Sequence, residues 1–335
     1  MPDARGSGVG VVAIGRNEGE RLRRCLASAL AEASTVVYVD SGSADDSVSA
    51  ARSAGAEVVA LDRALPFTAA RARNEGFRRL REIAPQIGYV QFVDGDCELV
   101  AGWLARAVGA IAAPRVAVVV GRRRERYPER SVYNRLCDME WASPVGEATA
   151  CGGDALVAVA PFEEVGGYET SLIAGEEPDL CVRLRGRGWK ILRIDAEMTL
   201  HDAAMERFWQ WWRRNERAGH AFAEVSRRHR AGPEAYWLRE TRSNWLWGLA
   251  LPIAVAGVAP LSIAASLGLL CAYPAQVLRV LLRDRRLEFG LRHRAVYALA
   301  SVLGKFPQAL GQTRYLASRL RRRPVSLIEY KGTAS

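Results

Sequence analysis

Two carboxylates stand two residues apart at the end of an apolar run in the first third of the sequence. They are Asp94 and Asp96, and the residues before them, Tyr-Val-Gln-Phe-Val, are typical of a buried strand. Ligands in open α/β sheets bind beyond the carboxyl ends of the strands. A Mg²⁺ or Mn²⁺ ion that bridges a diphosphate takes oxygen ligands from both protein and substrate. The motif therefore predicts a divalent metal site, and the alternative is an ordinary turn after a strand.

A third acidic residue ends another predicted strand. Asp40 follows an apolar run at residues 36–39 and begins the segment Asp-Ser-Gly-Ser-Ala-Asp-Asp. Serine and glycine allow the chain to turn tightly around a ligand, and the Asp40 carboxylate could accept the imide hydrogen of uracil. The alternative role of this residue is a helix N-cap.

The elements that would hold these residues alternate between strands and helices from the start of the chain. Short apolar runs rich in β-branched residues predict strands, and apolar residues at three- and four-residue spacings predict helices. The predicted strands are 9–14, 36–39, 57–60, 89–93 and 116–120, and the predicted helices are 20–30, one ending near Gly55, 68–81 and 102–112. This order predicts an α/β fold with a mostly parallel sheet and flanking helices.

The regular alternation ends after residue 121. Residues 122–130 are charged and predict a loop, whereas residues 152–159, 188–194 and 198–201 predict shorter strands. A long amphipathic helix is predicted over residues 205–228. The second half of the domain is therefore expected to be less regular than the first.

Taken in order, the motifs of this chain resemble those of the inverting family 2 glycosyltransferases with the GT-A fold, of the membrane-associated bacterial type. The matching segments are Ala-Ile-Gly-Arg-Asn-Glu at 13–18, Val-Asp-Ser-Gly-Ser at 39–43, Ala-Arg-Ala-Arg-Asn-Glu-Gly at 70–76, Asp-Gly-Asp at 94–96 and Gly-Glu-Glu-Pro-Asp-Leu at 175–180. The resemblance covers roughly residues 9–202. It implies a Rossmann-like nucleotide-diphospho-sugar transferase fold, with a mixed and mostly parallel sheet.

The resemblance also implies which residues bind the donor and a divalent metal cofactor, Mn²⁺ or Mg²⁺. Asp96 is implied to bind the metal, with Asp94 near the ribose and the metal, and His201 resembles a histidine that completes the metal shell. The residues implied to bind the nucleotide sugar are Asn17, Glu18, Asp40, Arg71, Arg73, Asn74 and Asp94, with Arg213 and Arg214 from a basic, tryptophan-rich segment. Alternatively, Arg71 and Arg73 form the solvated face of a helix, and His201 is structural.

An acidic pair before a helix start is implied to supply the general base. The family usually has Glu-Asp at this point, whereas this chain has Glu176 and Glu177. Glu177 stands at the position of the usual aspartate, and its longer side chain leaves Glu176 as a second candidate. A purely structural alternative exists, because acidic residues and a proline such as Pro178 also suit the first turn of a helix.

The activity implied is transfer of a hexosyl group, with inversion, from a nucleotide sugar to a hydroxyl of a glycan or lipid-linked acceptor, as in polysaccharide biosynthesis. A UDP-sugar is the favoured donor. Two alternatives are a sugar-nucleotide pyrophosphorylase and a non-catalytic membrane scaffold. A pyrophosphorylase should have a glycine-rich loop with Arg and Lys for a triphosphate, but the first strand is followed only by Gly-Arg-Asn-Glu at 15–18. A scaffold gives no reason for acidic residues after three predicted strands.

The positive charge of the chain lies in its last part. The formal net charge is +10, and residues 279–335 contain 13 Lys and Arg against 3 Asp and Glu, which leaves 34 of each before residue 279. A basic segment directly after an apolar run is typical of proteins at an anionic membrane surface. The expected partner is therefore a membrane surface, and no nucleic acid is expected.

The apolar run before this basic tail contains no charged residue over residues 243–278. It exceeds one spanning helix but is too short for two full ones of about 20 residues each. Pro252, Pro260 and Pro274 interrupt it, and arginines flank both ends, which favours a re-entrant or surface-lying segment over a single crossing. Residues 1–8 show no secretory signal, so we expect the chain at the cytoplasmic face of the cell membrane.

Three regions follow from these patterns. Residues 8–240 are predicted to form the GT-A catalytic domain, residues 243–278 the membrane-associated apolar segment with its helices, and residues 279–335 the basic C-terminal tail.

Overall fold

The first apolar run of the sequence forms a strand that is covered on both faces. In a computed structural model, which describes residues 8–232, 234–283 and 288–321, this strand is β1 (Val9–Gly15), and all of its residues except the last are buried. It pairs in parallel with β2 (Thr35–Asp40) and with β4 (Tyr89–Asp94), and β3 (Glu57–Ala60) pairs in parallel with β2. Burial on both faces explains the continuous apolar pattern of these strands.

Three helices connect these parallel strands, namely α1 (Glu20–Glu32), α2 (Ser47–Ser53) and α3 (Ala69–Ile83). The third packs directly against the sheet through Gly76, where a Cβ atom would lie only 2.4 Å from Cγ1 of Val12. A glycine at this position therefore allows the helix to lie close to the strands that carry the candidate site.

The second half of the sheet mixes parallel and antiparallel pairs. Its elements are β5 (Cys97–Leu99), α4 (Trp103–Ile111), β6 (Val116–Glu125), α5 (Val132–Glu140), β7 (Gly146–Ala148), β8 (Ala155–Ala158), α6 (Val159–Glu164), α7 (Glu176–Gly186) and β9 (Lys190–His201). In the described residues the strand order is β3-β2-β1-β4-β8-β6-β9-β5, with β7 beside β9. The predicted mixed, mostly parallel sheet with flanking helices is confirmed.

Two details of the predicted second half were wrong. Residues 122–125 were predicted as loop, but they continue β6 alongside β9. Residues 188–194 and 198–201 were predicted as separate strands, but β9 is continuous, with irregular register against β6. A hydropathy argument fails for this part of β6 because some of its charged residues are buried and ion-paired, such as Arg122 with Asp138 at 3.6 Å.

A second compact unit begins at Met205, where the first unit ends at Ala204. Its helices are α8 (Phe208–Arg228), α9 (Leu238–Trp245), α10 (Leu251–Val258), α11 (Ile263–Leu270), α12 (Ala272–Arg283), α13 (Leu291–Leu303) and α14 (Lys305–Leu320), with a π-helical turn at Leu246–Ala250. Helices α8 and α14 approach closely, because a Cβ atom at Gly219 would lie 2.0 Å from the Gln308 carbonyl oxygen. The domain limits proposed from the sequence remain predictions, and residues 1–7, 233, 284–287 and 322–335 lie outside the described residues.

The uncharged segment 243–278 is helical on both sides of one turn. The chain is helical up to Val258, turns at residues 259–262, and is helical again from Ile263. Of the three prolines that were expected to interrupt the segment, only Pro260 lies in this turn. The helix Ile263–Arg283 has the length and composition of a membrane-crossing helix, and only 6% of its apolar window is buried.

Candidate active site

The Asp-Gly-Asp motif lies at the carboxyl end of β4, directly against the end of β1. Asp94 is the last residue of β4, and the Gly95 N–H donates a hydrogen bond to the Ile14 carbonyl oxygen at 2.8 Å. A Cβ atom at Gly95 would lie 3.1 Å from that oxygen. The glycine therefore permits a turn that carries Asp94 and the buried Asp96 to the edge of the sheet where ligands of α/β proteins bind.

Asp94 lies between two arginines. Its Oδ1 is 2.8 Å from Nη2 of Arg73, and its Oδ2 is 3.0 Å from Nη2 of Arg123. Its backbone N–H donates to Oδ1 of Asp154 at 3.0 Å. These contacts hold the first carboxylate of the motif in one orientation.

Arg123 and Asp154 were missed by the sequence analysis. Nε of Arg123 lies 2.9 Å from Oδ2 of Asp154, which also accepts a hydrogen bond from the Thr199 hydroxyl at 2.7 Å. The available signal was Gly153 before the aspartate, since a Cβ atom there would lie 2.7 Å from Oδ2 of Asp94. Gly153 therefore lets the backbone of this segment lie directly against the Asp94 carboxylate.

Arg73 joins the metal motif to the acidic pair on α7. Its side chain is only 2% exposed, and Nη1 lies 2.9 Å from Oε1 of Glu176 and 3.1 Å from Oε1 of Glu177. Together with the contact to Asp94, the Arg73 guanidinium group forms ion pairs with three carboxylates. The alternative that Arg73 lies on a solvated helix face is therefore wrong.

Arg71, two residues earlier on the same helix, has a different environment. Its guanidinium group donates hydrogen bonds to the carbonyl oxygens of Asp62, Leu65 and Pro66 at 3.0 to 3.3 Å. It supports the loop before α3, and its predicted contact with the nucleotide stays a prediction.

The acidic pair begins α7, after Gly175 in the left-handed conformation with φ 86°. Glu176 is buried, whereas the Glu177 side chain is 16% exposed. The pKa of the Glu177 carboxyl is raised to about 7, chiefly by burial and also by the neighbouring Glu176, while Arg73 acts in the opposite direction. A carboxylate with a pKa near neutrality, reachable from solvent, has the properties of a general base.

The side chains of Asp96 and His201 lie close enough together for both to bind one divalent cation. Nε2 of His201 lies 3.1 Å from Oδ2 of Asp96, and the two groups form a cluster with the Cys97 thiol. Burial, with a contribution from Arg123, lowers the pKa of His201 and favours the neutral imidazole that binds metals. An imidazole nitrogen and a carboxylate oxygen suit Mn²⁺, whereas burial raises the pKa of Cys97 and keeps its sulfur a neutral thiol.

The loops after β1 and β2 are joined by a hydrogen bond, and they contain residues that were predicted to bind the nucleotide sugar. Asn17, which has a φ of 55°, accepts a hydrogen bond from the Ala44 N–H at 2.7 Å. Oδ2 of Asp40 accepts the N–H groups of Gly42 and Ser43, both at 2.9 Å. The Asp40 carboxylate therefore shapes the turn, and its contact with a base stays a prediction.

The remaining predicted donor residues lie in several places. Glu18 pairs with Arg21 at 2.8 Å. Asn74 exchanges hydrogen bonds with the backbone of Tyr168, at 2.7 Å to the carbonyl oxygen and 2.9 Å from the N–H. Arg213 and Arg214 lie on α8, in the unit that begins at Met205. For all of these residues, a role in donor binding stays a prediction.

Comparisons with known proteins agree with the resemblance. Residues 11–151 match the family model described as glycosyl transferase family 2. A search of curated protein sequences finds no match.

Solved structures of glycosyltransferases are also similar. One is the mannosyltransferase PcManGT from Pyrobaculum calidifontis in complex with GDP-Man and Mn²⁺, at 18% identity and a TM-score of 0.59, covering 89% of this chain and 86% of that one. Another is glucosyl-3-phosphoglycerate synthase from Mycobacterium tuberculosis, at 18% identity and a TM-score of 0.47, covering 66% of this chain and 79% of that one. The first of these likenesses supports a shared fold.

Proposed function

We propose that this chain, of which residues 11–151 match the model of glycosyl transferase family 2 and whose fold is similar to that of a solved glycosyltransferase, transfers a sugar, with inversion, from a nucleotide sugar to a hydroxyl of a glycan or lipid-linked acceptor. The observation that carries the proposal is the guanidinium group of Arg73, which contacts both Asp94 of the metal motif and the acidic pair at Glu176 and Glu177. A single ion-pair network therefore joins a residue proposed to bind the donor to the residues proposed to supply the base. A UDP-sugar is the proposed donor.

In the proposed reaction, Glu177 accepts the proton of the acceptor hydroxyl as the oxygen attacks the anomeric carbon from the side opposite the leaving group. One displacement of this kind inverts the anomeric configuration. Arg73 keeps the carboxylate in place at 3.1 Å without shielding it fully from solvent. The base is therefore positioned before the acceptor arrives, which lowers the cost of orientation in the transition state.

On the donor side, Asp96 and His201 would hold the divalent cation. When bound, the cation supplies positive charge against the departing nucleoside diphosphate. Arg73 and Arg123 fix both oxygens of Asp94, so this carboxylate is oriented in advance and suits a contact with the ribose hydroxyls. Preorganised groups of this kind need no rearrangement as the leaving charge develops.

The rate of transfer should depend on pH with a single rise through neutrality. Below the pKa of Glu177, near 7 because of burial and Glu176, the carboxyl is protonated and cannot accept the proton of the acceptor. The value of kcat/KM should therefore fall about tenfold for each pH unit below that pKa and level off above it. Initial rates with subsaturating acceptor would measure this profile, and a flat profile across neutrality would place the base elsewhere.

Hydrolysis and transfer assays with a panel of nucleotide sugars test the proposed activity. The full-length protein would be incubated with each sugar and Mn²⁺, and release of nucleoside diphosphate would be followed with and without lipid or soluble acceptors. A glycosyltransferase releases the diphosphate in an acceptor-dependent way. A pyrophosphorylase would instead form pyrophosphate from a nucleoside triphosphate and a sugar phosphate, and a scaffold would do neither.

Attachment to the cytoplasmic face of a membrane is the second part of the proposal. The turn at residues 259–262 and its flanks carry large apolar side chains that are mostly exposed, with Leu261 at 85%, Ile263 at 71% and Ile253 at 62%. Arg279 and Arg283 follow the apolar part of the helix, where they would meet anionic headgroups. Two helices joined at Pro260 favour a re-entrant hairpin that enters the bilayer by its tip.

Charges placed at the tip should release the protein from membranes. Replacing both Leu261 and Ile263 with glutamate removes two apolar side chains from the bilayer, each worth about 1.5 to 3 kcal/mol. Binding of the full chain to vesicles with anionic lipid, measured by flotation, should fall by at least about a hundredfold. Leu65→Glu is the matched control, because Leu65 is an exposed leucine of the other unit at 54%. Unchanged flotation of the double variant would contradict insertion through the tip.

A further inference from the structure

Glu125, at the end of β6, is a buried carboxylate surrounded by hydrogen-bond donors. Its Oε1 faces the Tyr127 N–H at 3.2 Å and the Asn134 side-chain amide at 3.3 Å. Its Oε2 faces the Ala203 N–H at 3.1 Å and Nδ1 of His201 at 3.4 Å. The side chain is fully buried, so all four contacts are made out of reach of solvent.

A carboxylate faces each nitrogen of the His201 ring, Glu125 at Nδ1 and Asp96 at Nε2. A cation held with Asp96 needs the lone pair of Nε2, and the neutral ring then carries its proton on Nδ1, where the Glu125 carboxylate accepts it. In the neutral ring Nε2 then carries a lone pair, and this nitrogen lies 3.1 Å from Oδ2 of Asp96. Two acceptors at that distance repel each other unless a positive charge lies between them.

The ring is held in this orientation from the side as well. The indole of Trp141 meets the His201 ring edge to face, with centroids 4.7 Å apart. This contact holds the plane of the ring. A flip of the ring about its Cβ–Cγ bond would put a carbon in the place of Nδ1 and lose the hydrogen bond to Glu125.

We propose that Glu125 is a positioning residue of the metal site, which fixes His201 as the Nδ1-protonated tautomer and directs the bare Nε2 towards the cation held with Asp96. Glu125 itself contacts neither the cation nor the substrate. The inference rests on the proposed metal-dependent function and adds a residue to it. Hydrogen bonds of this kind to a ligating histidine raise its basicity and orient it, and their loss costs about 10- to 100-fold in metal affinity.

Glu125→Gln is the informative substitution because it keeps the size of the side chain. A glutamine has one acceptor oxygen and one NH₂ group. If the NH₂ group faces His201 and Ala203, the proton acceptor of Nδ1 is lost. If the oxygen faces them, it still accepts from Nδ1, but it is neutral and no longer raises the basicity of the ring as a carboxylate does. The NH₂ group then faces the donors of Tyr127 and Asn134. The affinity for Mn²⁺ should therefore fall by about 10- to 100-fold.

The experiment measures Mn²⁺ binding to the full-length protein by titration calorimetry, with free Mn²⁺ checked by electron paramagnetic resonance. Glu197→Gln is the matched control, since it makes the same charge change on β9 at an exposed carboxylate paired with Arg124. We expect the control to bind Mn²⁺ as the wild type does and Glu125→Gln to bind it more weakly. Equal affinities of wild type and Glu125→Gln would overturn the positioning role and leave the proposed function intact.

Two further outcomes are distinguishable. If the wild type itself does not bind Mn²⁺, the metal dependence of the proposed function fails and the positioning role fails with it. If Glu125→Gln does not fold, as judged by circular dichroism, the positioning role of Glu125 is tested by determining the tautomer of His201 in the wild type instead. Long-range ¹H–¹⁵N spectra of the metal-free wild type, with the His201 signals assigned by their loss in His201→Asn, should show a proton on Nδ1, and a proton on Nε2 alone would overturn the proposal.

Discussion

Replacing Glu177 with glutamine is expected to lower the rate of glycosyl transfer by about 10²- to 10⁴-fold and to leave donor affinity nearly unchanged. The amide keeps the size of the side chain and can still accept a hydrogen bond from Arg73, which lies 3.1 Å from the carboxylate. It cannot accept a proton from the acceptor hydroxyl. Single-turnover transfer rates and calorimetric donor affinities, measured on the same preparation, separate the two effects.

Two neighbouring substitutions serve as controls for this prediction. Glu176→Gln should have a smaller effect on the rate, because Glu176 is buried against Arg73 at 2.9 Å and is less accessible to an acceptor. Asp179→Asn changes a carboxylate of the same helix that pairs with Arg183 at 2.9 Å. If Glu177→Gln keeps more than about a tenth of the wild-type rate, a loss below about 1.4 kcal/mol, the base lies elsewhere and Glu176 is the first alternative.

The first half of the fold could be predicted because its signals are local. Strands such as β1 and β2 are almost continuously apolar, since parallel strands are covered on both faces. The acidic ends of β2 and β4, Asp40 and Asp94, follow directly along the chain. The topological rule that strand ends meet at one edge then brings the two acids together without any knowledge of side-chain contacts.

The charged part of β6 could not be predicted in the same way. Arg123 contacts Asp94, 29 positions away in sequence, and Glu125 contacts Ala203, 78 positions away. A hydropathy pattern treats such residues as exposed, whereas burial of a charge depends on partners that only the tertiary structure supplies. For this reason the sequence predicts a loop where the structure has a strand, and its hydropathy pattern does not identify Arg123 as part of the site.

Arg71 and Arg73 belong to one helix, but a sequence motif does not distinguish the environments of their two side chains. Both belong to the same motif, and the resemblance implies the same role for both. On α3, however, Arg73 shares a face with Gly76, three residues later, which packs against Val12 of the sheet. The sequence spacing predicts that Arg73 and Gly76 share a helix face. Only the contacts with three carboxylates explain why an arginine is buried on that face.

Replacing Asp96 with alanine is expected to abolish glycosyl transfer at every Mn²⁺ concentration that supports the wild type. The substitution removes the carboxylate that faces Nε2 of His201 at 3.1 Å, and the proposed cation loses a charged oxygen ligand. Without that cation the negative charge on the departing diphosphate is not compensated. Excess chelator added to the wild type should have the same effect and should be reversed by Mn²⁺.

Thermal unfolding distinguishes loss of the metal site from loss of the fold. Without metal, Asp96→Ala should be no less stable than the wild type, because with the proposed proton on Nδ1 of His201 it removes a buried carboxylate that faces an unprotonated nitrogen. With Mn²⁺ at about 100 times its dissociation constant, the wild type should gain about 2.7 kcal/mol in the free energy of unfolding, and Asp96→Ala should gain little. Glu98→Ala is the control, since Glu98 lies two residues further along and pairs with Arg126 instead; it should keep both the Mn²⁺ response and the activity. Full activity of Asp96→Ala, or of the chelated wild type, would contradict the metal assignment, because a reaction that proceeds without this carboxylate does not depend on a cation held by it.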